Sequence, residues 1–239
     1  MKALILNSGM GSRMGVYTKE HPKCMTDLLD GETILSRQLK MLENSGIKDV
    51  VITTGYFRKV LIDYCNSLGL SLKFTFVHND IYDKTNYIYS IYCAKDELCG
   101  EDILMLHGDL VFEESVLGDV LAFENSCMKV SSTLPLPEKD FKAVIDNGTV
   151  KKVGVEFFEN AMEAQAMYKL NKPEWKMWLD KICEYCESDN RRCYAEKALN
   201  EITDECIIYA LDVQDRLCSE IDTPEDWEVV LEKLDSLQK

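Results

Sequence analysis

The chain opens on a short apolar run, Lys2 to Leu6, that stops at Asn-Ser-Gly. An unbroken apolar run of that length, closed by turn residues, predicts a buried strand. Apolar Ile34, Leu35, Leu39 and Leu42 then recur at helical spacing, and Gly46 ends the pattern, which predicts a helix over Thr33 to Asn44. Val50, Val51 and Ile52 place a second buried strand within Asp49 to Thr53. Phe57 to Leu68 is predicted helical and closed by Gly69; Leu72 to Val77 alternates as a strand does. A helix over Tyr87 to Leu98, a central strand over Asp102 to His107 and a helix over Glu114 to Glu124 follow. Such strand–helix alternation predicts a mostly parallel sheet with helices on both faces.

Past residue 127 the pattern turns β-rich. Met128 to Leu134, Phe141 to Ile145, Val150 to Val155 and Ala164 to Leu170 read as strands, with Asp146-Asn147-Gly148 as a hairpin turn. Pro173 opens a helix running to about Glu187. A short helix over Arg192 to Glu201 and a strand over Cys206 to Ala210 come next, then a last helix over Thr223 to Leu237 with Thr223 as its N-cap. The expected fold is α/β and Rossmann-like: a mostly parallel mixed sheet flanked by helices, with a smaller β-rich and helical portion. One domain over 1–239 is expected, with a first half at 1–126 and a second, β-rich half at 127–239.

Composition narrows the classes. Apolar residues make up 46% and charged residues 29%, as in a globular protein. No apolar run approaches the length of a membrane span, and the N-terminal run is too short for a signal peptide, so a cytoplasmic protein is expected. A net charge of −15 argues against nucleic acid or anionic lipid as partner. A triphosphate bound by so acidic a chain calls for a divalent cation between the two. Of the ten cysteines, Cys183, Cys186 and Cys193 alone have metal-like spacing. No second pair or histidine follows them, so packed thiols are expected ahead of a zinc site.

The strongest chemical signal is the first strand followed by LNSGMGSRMG. Gly9, Gly11 and Gly15 permit close backbone approach, consecutive N–H groups can cradle phosphate oxygens, and Arg13 adds a permanently charged fork. Met14 stands where a dinucleotide fingerprint needs glycine, and no Gly-Lys-Ser/Thr is present. Pro22-Lys23 follows ten residues after Arg13. A strand ending in His107-Gly108-Asp109 puts a carboxylate at the strand's C-terminal end, where α/β proteins bind ligands. Glu220 and Asp222, two apart, share a face if that segment is extended.

A glycine-rich GxGSR turn after the first strand, followed by Pro-Lys, resembles the nucleoside-triphosphate transferase family, and the three anchors occur in that family's order. The resemblance implies that Arg13 and Lys23 neutralise a triphosphate, with Lys23 on the α-phosphate. It implies Mg²⁺ on Asp109 and Asp222, with Glu220 as an additional acidic position of the choline-phosphate branch. Asn7, Ser8, Gly9, Met10, Gly11, Ser12 and Gly108 complete the expected nucleotide contacts. Asn7-Ser8 departs from the Ala-Ala of many members. Residues 78–98 resemble a segment of cytidylyltransferases acting on choline phosphate or aminoalkyl phosphonate; there Asn86, assisted by Thr85 and Ser90, is the expected base reader, although Thr85 or Asn86 would serve equally as a helix cap.

Residues 151–170 lack the Glu-Lys-Pro of sugar-phosphate members, while residues 166–182 and 193–199 resemble the choline-phosphate branch. Expected acceptor contacts are Tyr194 and Glu196, then Tyr168, Trp178 and Lys169, since aromatic faces and carboxylates suit a cation. Trp175 and Trp178 would equally fill the core. The expected activity is transfer of CMP from CTP to phosphocholine, or next 2-aminoethylphosphonate, with Lys23, Arg13 and Asp109 as the catalytic set. A sugar-1-phosphate transferase using UTP, dTTP or GTP, and a silent nucleotide-sensing subunit, stay open as alternatives.

Overall fold

The computed structural model describes residues 1–238. Three parallel strands open the fold: β1 (Lys2–Asn7), followed by α1 (Ile34–Asn44), β2 (Asp49–Thr54), α2 (Arg58–Ser67) and β3 (Lys73–His78). The chain then forms α3 (Tyr87–Cys93), α4 (Lys95–Leu98) and β4 (Ile103–His107). The expected single helix over 87–98 breaks at Ala94, whose φ/ψ of −92/2 leaves the α region. β5 (Leu110–Phe112), α5 (Glu114–Ala122), β6 (Cys127–Ser131), β7 (Lys142–Asp146), β8 (Thr149–Gly154) and β9 (Ala161–Leu170) follow. The chain finishes with α6 (Lys172–Glu187), α7 (Ala195–Leu199), β10 (Tyr209–Asp212), β11 (Cys218–Glu220) and α8 (Pro224–Leu237).

Nine strands make one sheet in the order β3-β2-β1-β4-β9-β6-β10-β8-β7. The β3-β2-β1-β4 part is parallel. From β9 onward the pairings are antiparallel except β6 with β10. The sheet is therefore mixed, with its continuous run of parallel strands in the first half. Strand alternation explains why β1 and β4 read as unbroken apolar runs. Leu4, Ile103 and Met105 enter the core beneath α3 and α6, while Ala3, Ile5, Leu104 and Leu106 enter the opposite core with α1 and α5. Both faces are dry, so neither strand has a polar side.

β5 and β11 form a separate antiparallel ribbon. A smaller core lies with it, where Met14, Ile34, Val111, Leu217, Ile221 and Val230 meet. It anchors the glycine-rich loop and α8 to the same spot. α8 starts with a capping box, Thr223 and Asp226 each serving the other's backbone N–H.

Trp175 and Trp178 are buried and donate their indole N–H groups to Leu98 O and Ala195 O, 3.0 Å each. Trp178 is thus a core residue and not the acceptor contact expected of it. Cys186 and Cys193 donate to the carbonyls of Ile88 and Asn190.

Gly55, just after β2, faces the end of β1. A Cβ there would lie 2.2 Å from Ser8 O, a backbone atom that cannot swing aside. Gly55→Ala is expected to cost about 1–3 kcal/mol, the usual penalty of forced overpacking. Urea denaturation of the variant checks this; an unchanged midpoint would contradict the packing.

Candidate active site

The loop after β1 turns sharply because Gly11 takes a positive φ of 63°, where a Cβ would also meet Lys23 Cβ at 2.9 Å. Thr18 Oγ1 donates to Gly11 O at 3.0 Å, and fully buried Met14 pins the following 3₁₀ turn. Arg13 is left largely exposed at the cavity's edge, its Nη2 2.8 Å from Asp222 Oδ2. Pro22 starts a second 3₁₀ turn whose first residue is Lys23.

Lys23 is central. Its Nζ pairs with Asp109 Oδ2 and lies 2.5 Å from Asp222 Oδ1. Burial opposes its charge, but the two carboxylates outweigh burial and hold its pKa above the ordinary lysine value. Burial likewise pushes Asp109 upward, and Lys23 and His107 overcome it, leaving the carboxyl below its usual range.

Three contacts bring Asp109 and Asp222 together across the sequence. Gln38 Nε2 donates to both His107 O and Leu110 O, fixing the turn that carries Asp109. β11 pairs with β5 so that Glu220 lies opposite Leu110. Ile221 N then donates to Asp109 O at 3.0 Å. Gly108 sits against the Asn7 side chain with no room for a Cβ, which closes the loop onto the strand end.

His107 Nδ1 lies 2.7 Å from Glu220 Oε1. Burial lowers the imidazole's pKa, but the Glu220 charge prevails and raises it to about 9. Burial and the neighbouring Asp109 carboxylate hold Glu220 above the usual carboxylate range.

These groups border two adjoining cavities. One, of about 380 Å³, is lined by Asn7, Gly9, Met10, Gly11, Ser12, Arg13, Lys23, Asp109, Glu220 and Asp222, and also by Tyr87, Lys139, Asp140, Phe141 and Tyr194. The other, of about 310 Å³, is lined by Ser8, Asn79, Tyr82, Thr85, Asn86 and Ser90. Tyr87, His107, Asp109 and Gly9 belong to both. The segment carrying Thr85, Asn86 and Ser90 is organised by buried Asn79, whose Nδ2 donates to Thr85 Oγ1 and Ser90 Oγ at 3.0 Å each. Asn86 does cap α3, its Oδ1 accepting the Tyr87 N–H at 2.7 Å.

Several expected acceptor contacts are displaced. Tyr168 and Lys169 are neighbours on β9 and so face opposite sides of the sheet. Lys169 is buried among backbone, donating to the carbonyls of Leu121 and Phe123, and does not reach the cavity. Glu196 is 1% exposed, and both its oxygens accept tyrosine hydroxyls, from Tyr87 and, at 3.0 Å, from Tyr168. Glu196 and Tyr168 thus stand behind the cavity wall, which is made here by Tyr87. Burial raises the Glu196 pKa against the pull of the Tyr87 hydroxyl. Of the expected acceptor set, Tyr194 alone lines the cavity, its ring 5.0 Å from Phe141 and 5.9 Å from Tyr87.

Asp140, Phe141, Lys139, His107 and Tyr87 were not legible as site residues. Asp140 approaches Glu220 and Asp222 from the loop before β7, its pKa raised by burial and then by the Asp222 charge. Only His107 carried a signal, as a polar residue ending an apolar strand.

The donors fit a hard divalent cation. Asp109 Oδ1 is buried with no hydrogen-bond partner. Ligand atoms of His107, Asp109 and Glu220 lie within 4.8 Å of one another, as do those of Asp140, Glu220 and Asp222. A set dominated by carboxylate oxygens suits Mg²⁺.

The chain is similar to several known proteins. CTP:phosphoglutamine cytidylyltransferase of Campylobacter jejuni is 34% identical over 117 residues, 47% of this chain and 45% of that protein. Choline-phosphate cytidylyltransferase of Streptococcus pneumoniae is 31% identical over 104 residues, 44% of this chain and 43% of that protein. CMP-5'-(3-aminopropyl)phosphonate synthase of Streptomyces rubellomurinus is 31% identical over 136 residues, 57% of this chain and 21% of that protein. Each match spans less than half of the relative's length. Over whole chains, the structure of CTP:phosphocholine cytidylyltransferase from Streptococcus pneumoniae gives a TM-score of 0.75 at 20% identity, covering 98% of both chains. That of the inositol-1-phosphate CTP transferase from T. maritima gives 0.78 at 23% identity, covering 100% of this chain and 96% of the other. At such identities the likeness is one of fold. Residues 3–127, more than half of the chain and the part bearing the glycine-rich loop, Lys23, Asn86 and Asp109, match the MobA-like NTP transferase domain, and the chain belongs to that family.

Proposed function

We propose that the protein is a cytidylyltransferase that moves CMP from CTP to a phosphate or phosphonate oxygen of a small cationic acceptor, phosphocholine first and 2-aminoethylphosphonate next. The observation that carries this reading is Lys23 held between Asp109 and Asp222 at the floor of a cavity that Arg13 and the glycine-rich loop border. Aromatic Tyr87, Phe141 and Tyr194 and carboxylates Asp140 and Glu220 line the rest of it, together with Lys139. A cation is attracted by such faces and carboxylates. The named relatives that use CTP support the choice of base.

An acceptor phosphate is already nucleophilic near neutral pH, its second pKa being about 6, so no general base is required. Its oxygen forms the new bond to the α-phosphorus as the α–β bridging bond breaks, and pyrophosphate leaves with the electron pair. Lys23 neutralises charge at the α-phosphate, and Arg13 and the loop amides hold the departing pyrophosphate. Mg²⁺ held by Asp109, Asp222 and Glu220 would supply Lewis-acid charge neutralisation at phosphate oxygens. The reading places the protein in the cytoplasm, where CTP and Mg²⁺ are at hand. Among the described residues no helix is long and apolar enough to cross a membrane.

Pyrophosphate release tests the proposal. CTP, UTP, dTTP and GTP are each offered with phosphocholine, 2-aminoethylphosphonate and several sugar phosphates. The expected result is release with CTP and a cationic acceptor. Turnover of a sugar phosphate with another triphosphate would overturn the choice of substrates; silence with every pair would leave a binding protein.

A further inference from the structure

Glu196 has no part in the chemistry described so far, yet three elements converge on its carboxylate. It extends from α7, and its two oxygens accept the hydroxyls of Tyr87 from α3 and, at 3.0 Å, of Tyr168 from β9. The residue is 1% exposed. Burying a carboxylate is costly, and an apolar side chain would fill the same space without that penalty. Its presence points to a task for the two hydroxyl bonds beyond packing.

The two tyrosines differ in what else holds them. Tyr168 is fully buried, its ring 5.2 Å from that of Trp178, so packing alone fixes it. Tyr87 is half-buried and lines both cavities. Its ring meets His107 in a T-shaped contact at 4.8 Å and stands 5.9 Å from Tyr194, and its cavity side is open. A phenol so placed can swing about its side-chain torsions unless its far end is tied, and Glu196 ties it. The tether is itself rigid. Trp178 Nε1 donates to Ala195 O at 3.0 Å, and the Asn200 amide bonds both backbone groups of Val153, at 2.7 and 2.8 Å. The chain just before Tyr87 is held to the same region, since Asn86 N donates to Arg191 O at 2.8 Å.

We propose that Glu196 is a positioning residue: it fixes the Tyr87 ring at the partition between the two cavities, in the orientation that completes the acceptor's aromatic wall with Phe141 and Tyr194. Glu196 itself touches neither substrate and acts through Tyr87. The inference rests on the proposed transfer to a cationic acceptor. Nucleotide binding does not share the dependence, because Asn79 organises Thr85 and Ser90 without Glu196.

The test uses the fact that Tyr87→Phe and Tyr168→Phe each take one hydroxyl from the same carboxylate, while only Tyr87 lines the cavity. Both are compared with wild type and Glu196→Gln by steady-state kinetics with CTP, Mg²⁺ and the better of phosphocholine and 2-aminoethylphosphonate. Calorimetric titration of CTP and thermal melts accompany the kinetics. A loosened ring must be ordered anew whenever the acceptor binds. Tyr87→Phe should therefore raise the acceptor KM roughly three- to tenfold, by more than kcat falls or CTP affinity weakens. Tyr168→Phe should lower the melting temperature and keep the acceptor KM. Glu196→Gln can bond both hydroxyls, one through its amide oxygen and one through its N–H₂, and should restore a KM near wild type. A carboxylate that only holds the fold together predicts that both phenylalanine variants shift KM alike. That result, or an unchanged KM in Tyr87→Phe, would overturn the proposal. Glu196→Gln matching Tyr87→Phe would overturn it too, by putting charge in place of the hydrogen bond. If Glu196→Gln does not fold, the two phenylalanine variants decide. A wild-type protein that uses neither acceptor with CTP removes the acceptor reading itself, and this inference with it.

Discussion

Lys23→Ala is expected to lower kcat on the order of a hundredfold or more, the scale seen when one preorganised charge partner is removed. The ammonium sits between two carboxylates whose side chains are 18% and 12% exposed, so its charge acts with little solvent screening. The same change leaves Asp109 and Asp222 facing each other, with Arg13 on Asp222 and the His107 imidazole near Asp109 as the remaining basic groups. Breaking a buried ion pair costs roughly 3–5 kcal/mol, and partial exposure here argues for the lower end or less. The ligand-free variant should therefore melt below wild type. Added Mg²⁺ should raise its melting temperature more than that of wild type, because a cation then supplies the missing charge. Steady-state kinetics and thermal melts read both effects; turnover near wild type would contradict the placement of Lys23 at the reacting phosphate.

The second large effect is expected at Asp109. Asp109→Asn keeps the shape of the side chain and the Ile221 N–H contact to its backbone carbonyl, but removes the charge. Loss of the carboxylate should also lower kcat on the order of a hundredfold or more, through metal binding and through the lost hold on Lys23. Asp109 Oδ1, buried and without a partner, forfeits no hydrogen bond; Oδ2 exchanges its ion pair with Lys23 for a neutral contact, while Asp222 still holds the ammonium. The fold should therefore tolerate the change better than catalysis does. A variant that unfolds while the remaining folded fraction turns over normally would reverse that assignment.

The strands of the first half were legible because both their faces are buried, so β1, β2 and β4 appear as unbroken apolar runs. The ribbon β5–β11 was not. Each of its strands is three residues long, too short for any periodicity to register, yet it delivers Glu220 and Asp222 to Asp109. The phosphate loop, Lys23, Asp109 and Asp222 were readable because glycine, proline and strand-end carboxylates leave marks in sequence. The acceptor side was harder. Tyr168 and Lys169 are adjacent on a strand, and alternation alone forbids both from facing one ligand. Trp178 was placed by residue type and Glu196 by its position in a motif resembling the choline-phosphate branch, and neither distinguishes a cavity wall from the layer behind it. Asp140 and Phe141 lie in a loop whose path depends on tertiary packing, and nothing local marks them.

The account rests on two aspartates far apart in sequence jointly holding a divalent cation against a bound triphosphate. Titration of Mn²⁺ followed by electron paramagnetic resonance, in the presence of CTP, tests this most directly. Wild type should bind Mn²⁺ in a CTP-dependent manner, and Asp109→Asn and Asp222→Asn should each abolish that binding. Mn²⁺ affinity left unchanged in either variant would contradict the site.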